Sequence, residues 1–212
     1  VAMDPRSGGL LALVSHPGYD PNLFITGMSS EQYGEMSHSL YKPLFNRAIN
    51  GQYAPGSTFK PVVGLAAIVE RVVSWEDTIE DNGFFKLPNQ DRIYRDWTWT
   101  VNNSGGQGTV DLHRAIYRSS NVFFYDMATR MPVERLVSFA RQFGFGKNLS
   151  FDIADASVGL MPDPIWKRGY KGEVWYPGDS VNMGIGQGDV LVTPLQMAVV
   201  ASTLANRGAV VR

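Results

Sequence analysis

The sequence contains no cysteine and only three histidines, His16, His38 and His113. Without Cys there is no disulfide framework, no thiol nucleophile and no thiolate metal site. No His has a second His at H-x-x-x-H spacing, and Asp81, Asp91, Asp96 and His113 show no regular ligand spacing, so no metal or other cofactor is expected. Charge is scarce as well. Charged residues make up 18% of the chain, and 19 Lys+Arg against 20 Asp+Glu leave a net charge of -1. That composition excludes a highly charged disordered chain. It also offers no basic block for a phosphate backbone, so no nucleic-acid partner is expected. No apolar run approaches the ~20 residues of a membrane span, and no basic segment followed by an apolar one marks a secretory leader at the start.

What is present is ordinary in amount: 212 residues, 44% of them apolar. This is enough for a sizeable core in one large domain or two small ones. Val1–Asp4 and Leu10–Ser15, joined by Pro5-Arg6-Ser7-Gly8-Gly9, predict an opening hairpin. His16–Pro21 is a loop because two prolines deny a ladder its donors. Residues 29–56 are polar and expected to be irregular. Ala-rich Thr58–Arg71 predicts a helix starting close to Ser57, because Pro61 is tolerated only in a first turn. Pro61 should also leave the Ser57 carbonyl without its usual helical donor. Trp75–Gly108 predicts short strands and loops. Thr109 is placed as the cap of a helix over Val110–Ser119, with Asp111 in its first turn. Helices over Val122–Arg130 and Val133–Phe143 follow, the latter closed by Gly144. Residues 144–192 are Gly- and Pro-rich. Thr193-Pro194-Leu195-Gln196 then starts a helix to about Asn206 with a capping box, and Gly208 stops it. Helices interspersed with strands and long loops make the fold class α/β in its α+β form.

The leading chemical feature is Ser57-Thr58-Phe59-Lys60, an S-x-x-K tetrad at a helix start. Residues three apart share a helix face, a serine needs a base to become a nucleophile, and a desolvated lysine can be that base. The helix N-terminus favours a developing oxyanion. The tetrad is weak evidence alone. With 16 Ser and 6 Lys in the chain, chance gives roughly 0.5 matches, and Ser39-Leu40-Tyr41-Lys42 is indeed a second one. That second tetrad opens no apolar helix and is read as a decoy. Ser119-Ser120-Asn121, an S-x-N at the break between two helical runs, is the expected partner of Ser57 and Lys60. Ser180-Val181-Asn182 fits the same pattern but is expected in a Gly-rich loop.

Several other features carry less. Gly184-Ile-Gly-Gln-Gly188 is not G-x-G-x-x-G, since position 189 is Asp, and it lacks the framing of a nucleotide site. It reads as a tight loop before the Thr193 helix. Gly186, Gln187 and Gly188 are candidate substrate-binding residues on the floor of the site. No G-x-S-x-G elbow supports a Ser-His-Asp triad. Phe123-Phe124-Tyr125 reads as core, and Trp97, Trp99 or Trp175 could supply a rim aromatic.

S-x-x-K with S-D-N and K-T-G is the signature of class A β-lactamases and penicillin-binding proteins. Asn121 is present, Ser120 stands where that triplet has Asp, and no K-T-G occurs. Tyr53-Ala-Pro-Gly-Ser57-Thr-Phe-Lys60-Pro61 resembles the active-serine segment of class B penicillin-binding proteins. Tyr94-Arg-Asp-Trp97 and Met183-Gly-Ile-Gly-Gln-Gly-Asp-Val-Leu-Val-Thr-Pro-Leu-Gln-Met197 resemble the elongation-specific branch of that family. Asp4-Pro-Arg-Ser-Gly-Gly9 and Tyr19-Asp-Pro-Asn-Leu23 fit the start of its transpeptidase domain.

The resemblance spans nearly all of residues 1–212. It implies a partial transpeptidase domain with a mainly antiparallel sheet flanked by helices, an all-helical region, and the last strands, including K-T-G, missing. It implies a cofactor-free D-Ala-D-Ala transpeptidase that crosslinks peptidoglycan stem peptides and is acylated by β-lactams. Ser57 would be the nucleophile, Lys60 its base, Ser119 a proton relay, and Asn121 the residue orienting Lys60 and the substrate amide. The Ser57 backbone N–H would be one oxyanion donor, and the K-T-G strand would supply the other. The implied partners are a membrane glycan polymerase and the elongation machinery, on the periplasmic side of the bacterial inner membrane, with the anchor outside these residues. A β-lactam sensor, a serine β-lactamase and a non-catalytic scaffold are the alternatives.

Overall fold

The computed structural model describes residues 1–102, 105–149 and 155–210. The expected hairpin forms: β1 (Ala2–Met3) pairs antiparallel with β2 (Leu10–Ala12). A short helix, α1 (Asn22–Thr26), follows. The polar stretch 29–56 is more regular than expected: it holds α2 (Ser30–His38) and α3 (Arg47–Asn50). Helix α2 buries none of its residues; a full capping box between Ser29 and Gln32 starts it, so capping chemistry specifies it rather than an apolar stripe.

The next helix begins as a 3-10 turn over Gly56–Phe59 and continues as α4 (Lys60–Val69). β3 (Thr78–Asp81), β4 (Phe84–Lys86) and β5 (Ile93–Arg95) follow, and then a helix where only strands and loops were expected, α5 (Trp97–Asn102). Thr109 does not cap a helix. Thr109 and Val110 lie in β6 (Gly108–Asp111), paired antiparallel with β3, as suits two β-branched residues. Asp111 is the N-cap of α6 (Leu112–Tyr117), its side chain accepting the Arg114 N–H at 2.6 Å. α7 (Asn121–Arg130) and α8 (Val133–Gln142) stand where expected.

The Gly- and Pro-rich stretch contains two unexpected helices, α9 (Pro164–Lys171) and α10 (Pro177–Gly184). Both carry proline in the first turn, where its missing N–H costs nothing. Here proline opens a helix rather than breaking one, and Ser180-Val181-Asn182 therefore sits in α10 and not in a loop. α11 (Pro194–Ala205) starts on the expected Thr193–Gln196 capping box. Among the described residues no helix is long and apolar enough to cross a membrane.

The chain forms two compact units. One comprises residues 1–53, 147–159 and 192–212. In it α11 packs on α3 and β1, with Ile49, Leu195, Val199 and Val200 buried. The Gln196 amide ties this unit by donating to the Val158 carbonyl at 2.7 Å. The other comprises residues 54–146 and 160–191. Its centre is α4, packed on α6, α7 and α8. Gly64 permits that approach: a Cβ there would come within 2.8 Å of Leu112 Cδ1. Phe59, Val62, Val63, Phe123 and Phe124 are fully buried, each worth about 1.5–3 kcal/mol relative to exposure. Among the described residues the strands pair two at a time, as β1–β2, β3–β6 and β4–β5, all antiparallel. The class is α+β with small antiparallel sheets.

Candidate active site

The whole site lies in the unit built around α4. Ser57 sits in the 3-10 turn. Contrary to expectation, its carbonyl has a donor, the Lys60 N–H. The tighter i→i+3 pattern of a 3-10 turn moves the acceptor one residue along, so Pro61 costs that carbonyl nothing. The turn is braced from the Gly-Gln-Gly loop. Gly56, at φ +56°, donates its N–H to the Gly186 carbonyl at 2.8 Å. Gly186 must be glycine on two counts: its φ is +67°, and a Cβ would come within 2.3 Å of the Gly56 carbonyl oxygen. Phe59 anchors the inner side of the turn edge-on to Phe145 at 5.1 Å.

Lys60 is 2% exposed, whereas Ser57 is exposed. The Lys60 Nζ donates to Asn121 Oδ1 at 2.7 Å, to the Ser119 carbonyl at 2.8 Å and to Ser119 Oγ at 3.0 Å. Those contacts match the three donors of an ammonium. Ser119 Oγ in turn lies 3.0 Å from Ser57 Oγ, to which it donates. The connection from nucleophile candidate to lysine therefore runs through the Ser119 hydroxyl. Burial pushes Lys60 down to about 8, against the opposing pull of the Asp96 and Asp81 carboxylates. Roughly one molecule in ten then carries a neutral Lys60 at pH 7.

The tertiary fold selects between the two S-x-N triplets. Ser119 takes a left-handed backbone conformation, φ +55°, between α6 and α7, a costly state for a residue with a Cβ. This turn brings Ser119 and Asn121 to the Lys60 amine together. Ser180 accepts from the Trp175 indole at 3.0 Å instead.

Ser57, Ser119, Asn121, Trp97, Ile185 and Gln187 line an open cleft of about 340 Å³. The structure thus brings Ser57, Ser119, Asn121 and Gln187 to one cavity, with Lys60 behind them. Gly186 acts one step back, through Gly56. Gly188 lies against Asn182, its would-be Cβ 3.4 Å from that residue's own, and does not line the cleft. Trp97 supplies the rim aromatic, its indole donating to the Arg118 carbonyl at 3.3 Å. Two participants escaped the sequence reading except as rejected metal ligands. Asp81 and Asp96 are each 1% exposed. Asp96 Oδ2 accepts the Asn121 N–H at 2.6 Å, and Asp81 Oδ2 accepts the Ser120 hydroxyl at 2.6 Å. Asp96 stands inside Tyr94-Arg-Asp-Trp97, two residues before Thr98, whose N–H it also accepts at 3.0 Å. An Asp at the mouth of a helix was the available signal.

A serine, a buried lysine and an S-x-N turn on a helical unit are the marks of serine acyl-transfer folds of the β-lactamase and penicillin-binding type. The chain belongs to the penicillin-binding protein transpeptidase domain family, which it matches over residues 1–212. It is 40% identical over 208 residues to the peptidoglycan D,D-transpeptidase MrdA of Acinetobacter baumannii, covering 98% of this chain and 30% of that protein. Among solved structures, Pseudomonas aeruginosa PBP2 in complex with WCK 5153 superposes with a TM-score of 0.91 at 44% identity, over 98% of this chain and 46% of that one. Helicobacter pylori PBP2, in complex with MreC, gives a TM-score of 0.91 at 32% identity, over 99% of this chain and 38% of that one. The chain spans about a third of the length of the curated relatives it matches, 30% and 32% for two of them.

Proposed function

We propose that this chain carries the acyl-enzyme half of a peptidoglycan D,D-transpeptidase acting in cell-wall elongation. The observation that carries the reading is the hydrogen-bonded run from the exposed Ser57 hydroxyl through Ser119 to a buried, depressed Lys60 held by Asn121. Ser57 Oγ attacks the carbonyl of the penultimate D-Ala of a stem peptide. Its proton passes by way of Ser119 to neutral Lys60 as the Oγ–C bond forms. The Ser57 N–H, in a first helical turn where donors lack intrahelical acceptors, faces the oxyanion. Collapse breaks the peptide C–N bond. The departing D-Ala nitrogen takes the proton back through the same path, which returns Lys60 to its neutral form. An acceptor amine from a second stem then attacks the ester and gives up a proton to Lys60; as the Oγ–C bond breaks, Lys60 returns that proton through Ser119 to Ser57 Oγ, which regenerates the serine hydroxyl and the neutral lysine. A β-lactam opens its ring on Ser57 by the first step and, lacking a small leaving group that diffuses away, blocks the second.

The intact protein would face the periplasmic side of the bacterial inner membrane and work with a membrane glycan polymerase. A protein partner of the kind seen in the Helicobacter pylori PBP2–MreC complex fits the same setting. The test is labelling of the intact protein with fluorescent penicillin and mapping the mass shift, together with crosslinking of donor and acceptor stem peptides. Label on Ser57 with crosslinked product supports the reading. Stable label without crosslinking supports a sensor, rapid β-lactam turnover a β-lactamase, and no label on Ser57 a scaffold.

A further inference from the structure

We propose that the buried carboxylates of Asp96 and Asp81 are positioning residues that clamp the Ser119–Ser120–Asn121 turn against Lys60 and supply the negative charge that lysine faces. This rests on the acyl-transfer reading of the site above and goes one layer deeper.

The geometry is built from two elements tied by one tight turn. Asp81 ends β3 and Asp96 follows β5. Gly83 joins them, its N–H donating to Asp81 Oδ1 at 2.8 Å and its carbonyl accepting the Asp96 N–H at 2.7 Å. Each carboxylate spends its outer oxygen on the S-x-N turn. Asp81 holds the Ser120 hydroxyl, and Asp96 holds the Asn121 N–H, both at 2.6 Å. The remaining Asp96 oxygen is filled by the Thr98 hydroxyl at 2.9 Å and the Gln107 amide at 3.4 Å. Ser120 also caps α7 through the Phe123 N–H at 3.2 Å. The middle residue of the triplet thus never reaches the cleft, yet it fixes both of its neighbours that do. A non-glycine φ of +55° at Ser119 persists only where the surroundings over-determine it, and two charge-assisted anchors do so.

The same pair dominates the charge around Lys60. Asp96 and then Asp81 raise its pKa while burial lowers it. Among the described residues, the charges on the other elements packed on α4 are paired or exposed: on α7, Asp126 and Arg130 bond each other at 3.2 Å. From α7, the Phe124 ring lies 5.5 Å from Nζ, and the Tyr125 phenol, pushed to about 12, stays neutral. From α6, Arg114 bonds the Thr109 carbonyl and His113 is exposed. From α8, Arg135 pairs with Glu70, Arg141 pairs with Asp163, and Glu134 is exposed.

The test is the titration of Lys60 in the intact protein, followed by NMR of lysine labelled with 13C at Cε, alongside penicillin acylation rates. Wild type should titrate near 8. Asp96→Asn keeps the shape and removes the charge, so the midpoint should fall by about one pH unit, with a smaller fall for Asp81→Asn. At pH 9, where Lys60 is largely neutral in every variant, Asp96→Asn should still acylate about tenfold more slowly because the turn is less firmly held. Asp96→Glu should restore the midpoint. If Asp96→Asn fails to fold, Asp81→Asn carries the same directional test. A midpoint unchanged in folded variants, with only melting temperature lowered, overturns the proposal, because a merely structural role moves stability alone. Wild type that penicillin leaves unlabelled, with the midpoint still falling in Asp96→Asn, overturns the acyl-transfer reading and upholds this one.

Discussion

Two stretches of this chain spell S-x-x-K, and only one of them becomes a site. In Ser39–Lys42 the serine ends α2, its hydroxyl accepts the Tyr41 N–H at 3.2 Å, and its carbonyl accepts the Lys42 N–H at 3.0 Å. Leu40 is 95% exposed, and Lys42 is exposed too. In Ser57–Lys60 the lysine is 2% exposed and meets Ser119 and Asn121 from about sixty residues away. Both serines reach the surface. What separates the tetrads is the environment of the lysine: Lys42 lies out in water, while desolvation of Lys60 makes a neutral amine available near pH 8.

That contrast can be attacked experimentally, starting with the change that should erase it. Ser57→Ala should abolish covalent penicillin labelling, measured on gels and by mass spectrometry; undiminished labelling would move the nucleophile to Ser39 or elsewhere. Lys60→Ala should slow acylation by about 10²–10⁴-fold, read by stopped-flow labelling, and a normal rate would remove Lys60 from the proton path. Acylation by wild type should climb about tenfold per pH unit from pH 6 and level off above about 8, because the base works only when unprotonated and burial has lowered its pKa to about 8. A profile flat across that range would sink the depressed lysine. Ser119→Ala should cost more than Ser180→Ala, because only Ser119 bridges Ser57 and Lys60. The reverse order would mean that the wrong S-x-N triplet had been assigned. Smallest of all, Lys42→Ala should leave acylation within about twofold and stability within about 0.5 kcal/mol, as for an exposed surface residue.

Much of the frame was legible because it is written in local chemistry. The Thr193–Gln196 capping box, Pro61 in a first turn, Gly144 after α8 and the Ser120-Asn121 break before α7 act over four residues or fewer, and each element formed where they pointed. The errors have a local cause as well. Ser29–Gln32 is also a capping box, but the polar helix it starts has no buried face to betray it. Pro164 and Pro177 open helices that a count of prolines suggests they would break. Thr109 and Val110 look like a helix start until β3 offers Glu80 and Ile79 as strand partners.

The sequence by itself determined the candidates: a serine and lysine three apart on a helix start, a Ser-x-Asn at a helix break, and a tight glycine loop before the Thr193 helix. Tertiary structure alone decided which candidates meet, and it recruited Asp81, which had no motif to announce it, and Asp96, whose Tyr94-Arg-Asp-Trp97 setting gave no sign of what it holds. The physical reason is the range of the forces. Caps and proline rings act along the chain within a turn. Desolvation of Lys60 and the pull of two carboxylates depend on what is packed around a point in space, and no spacing in the sequence encodes that.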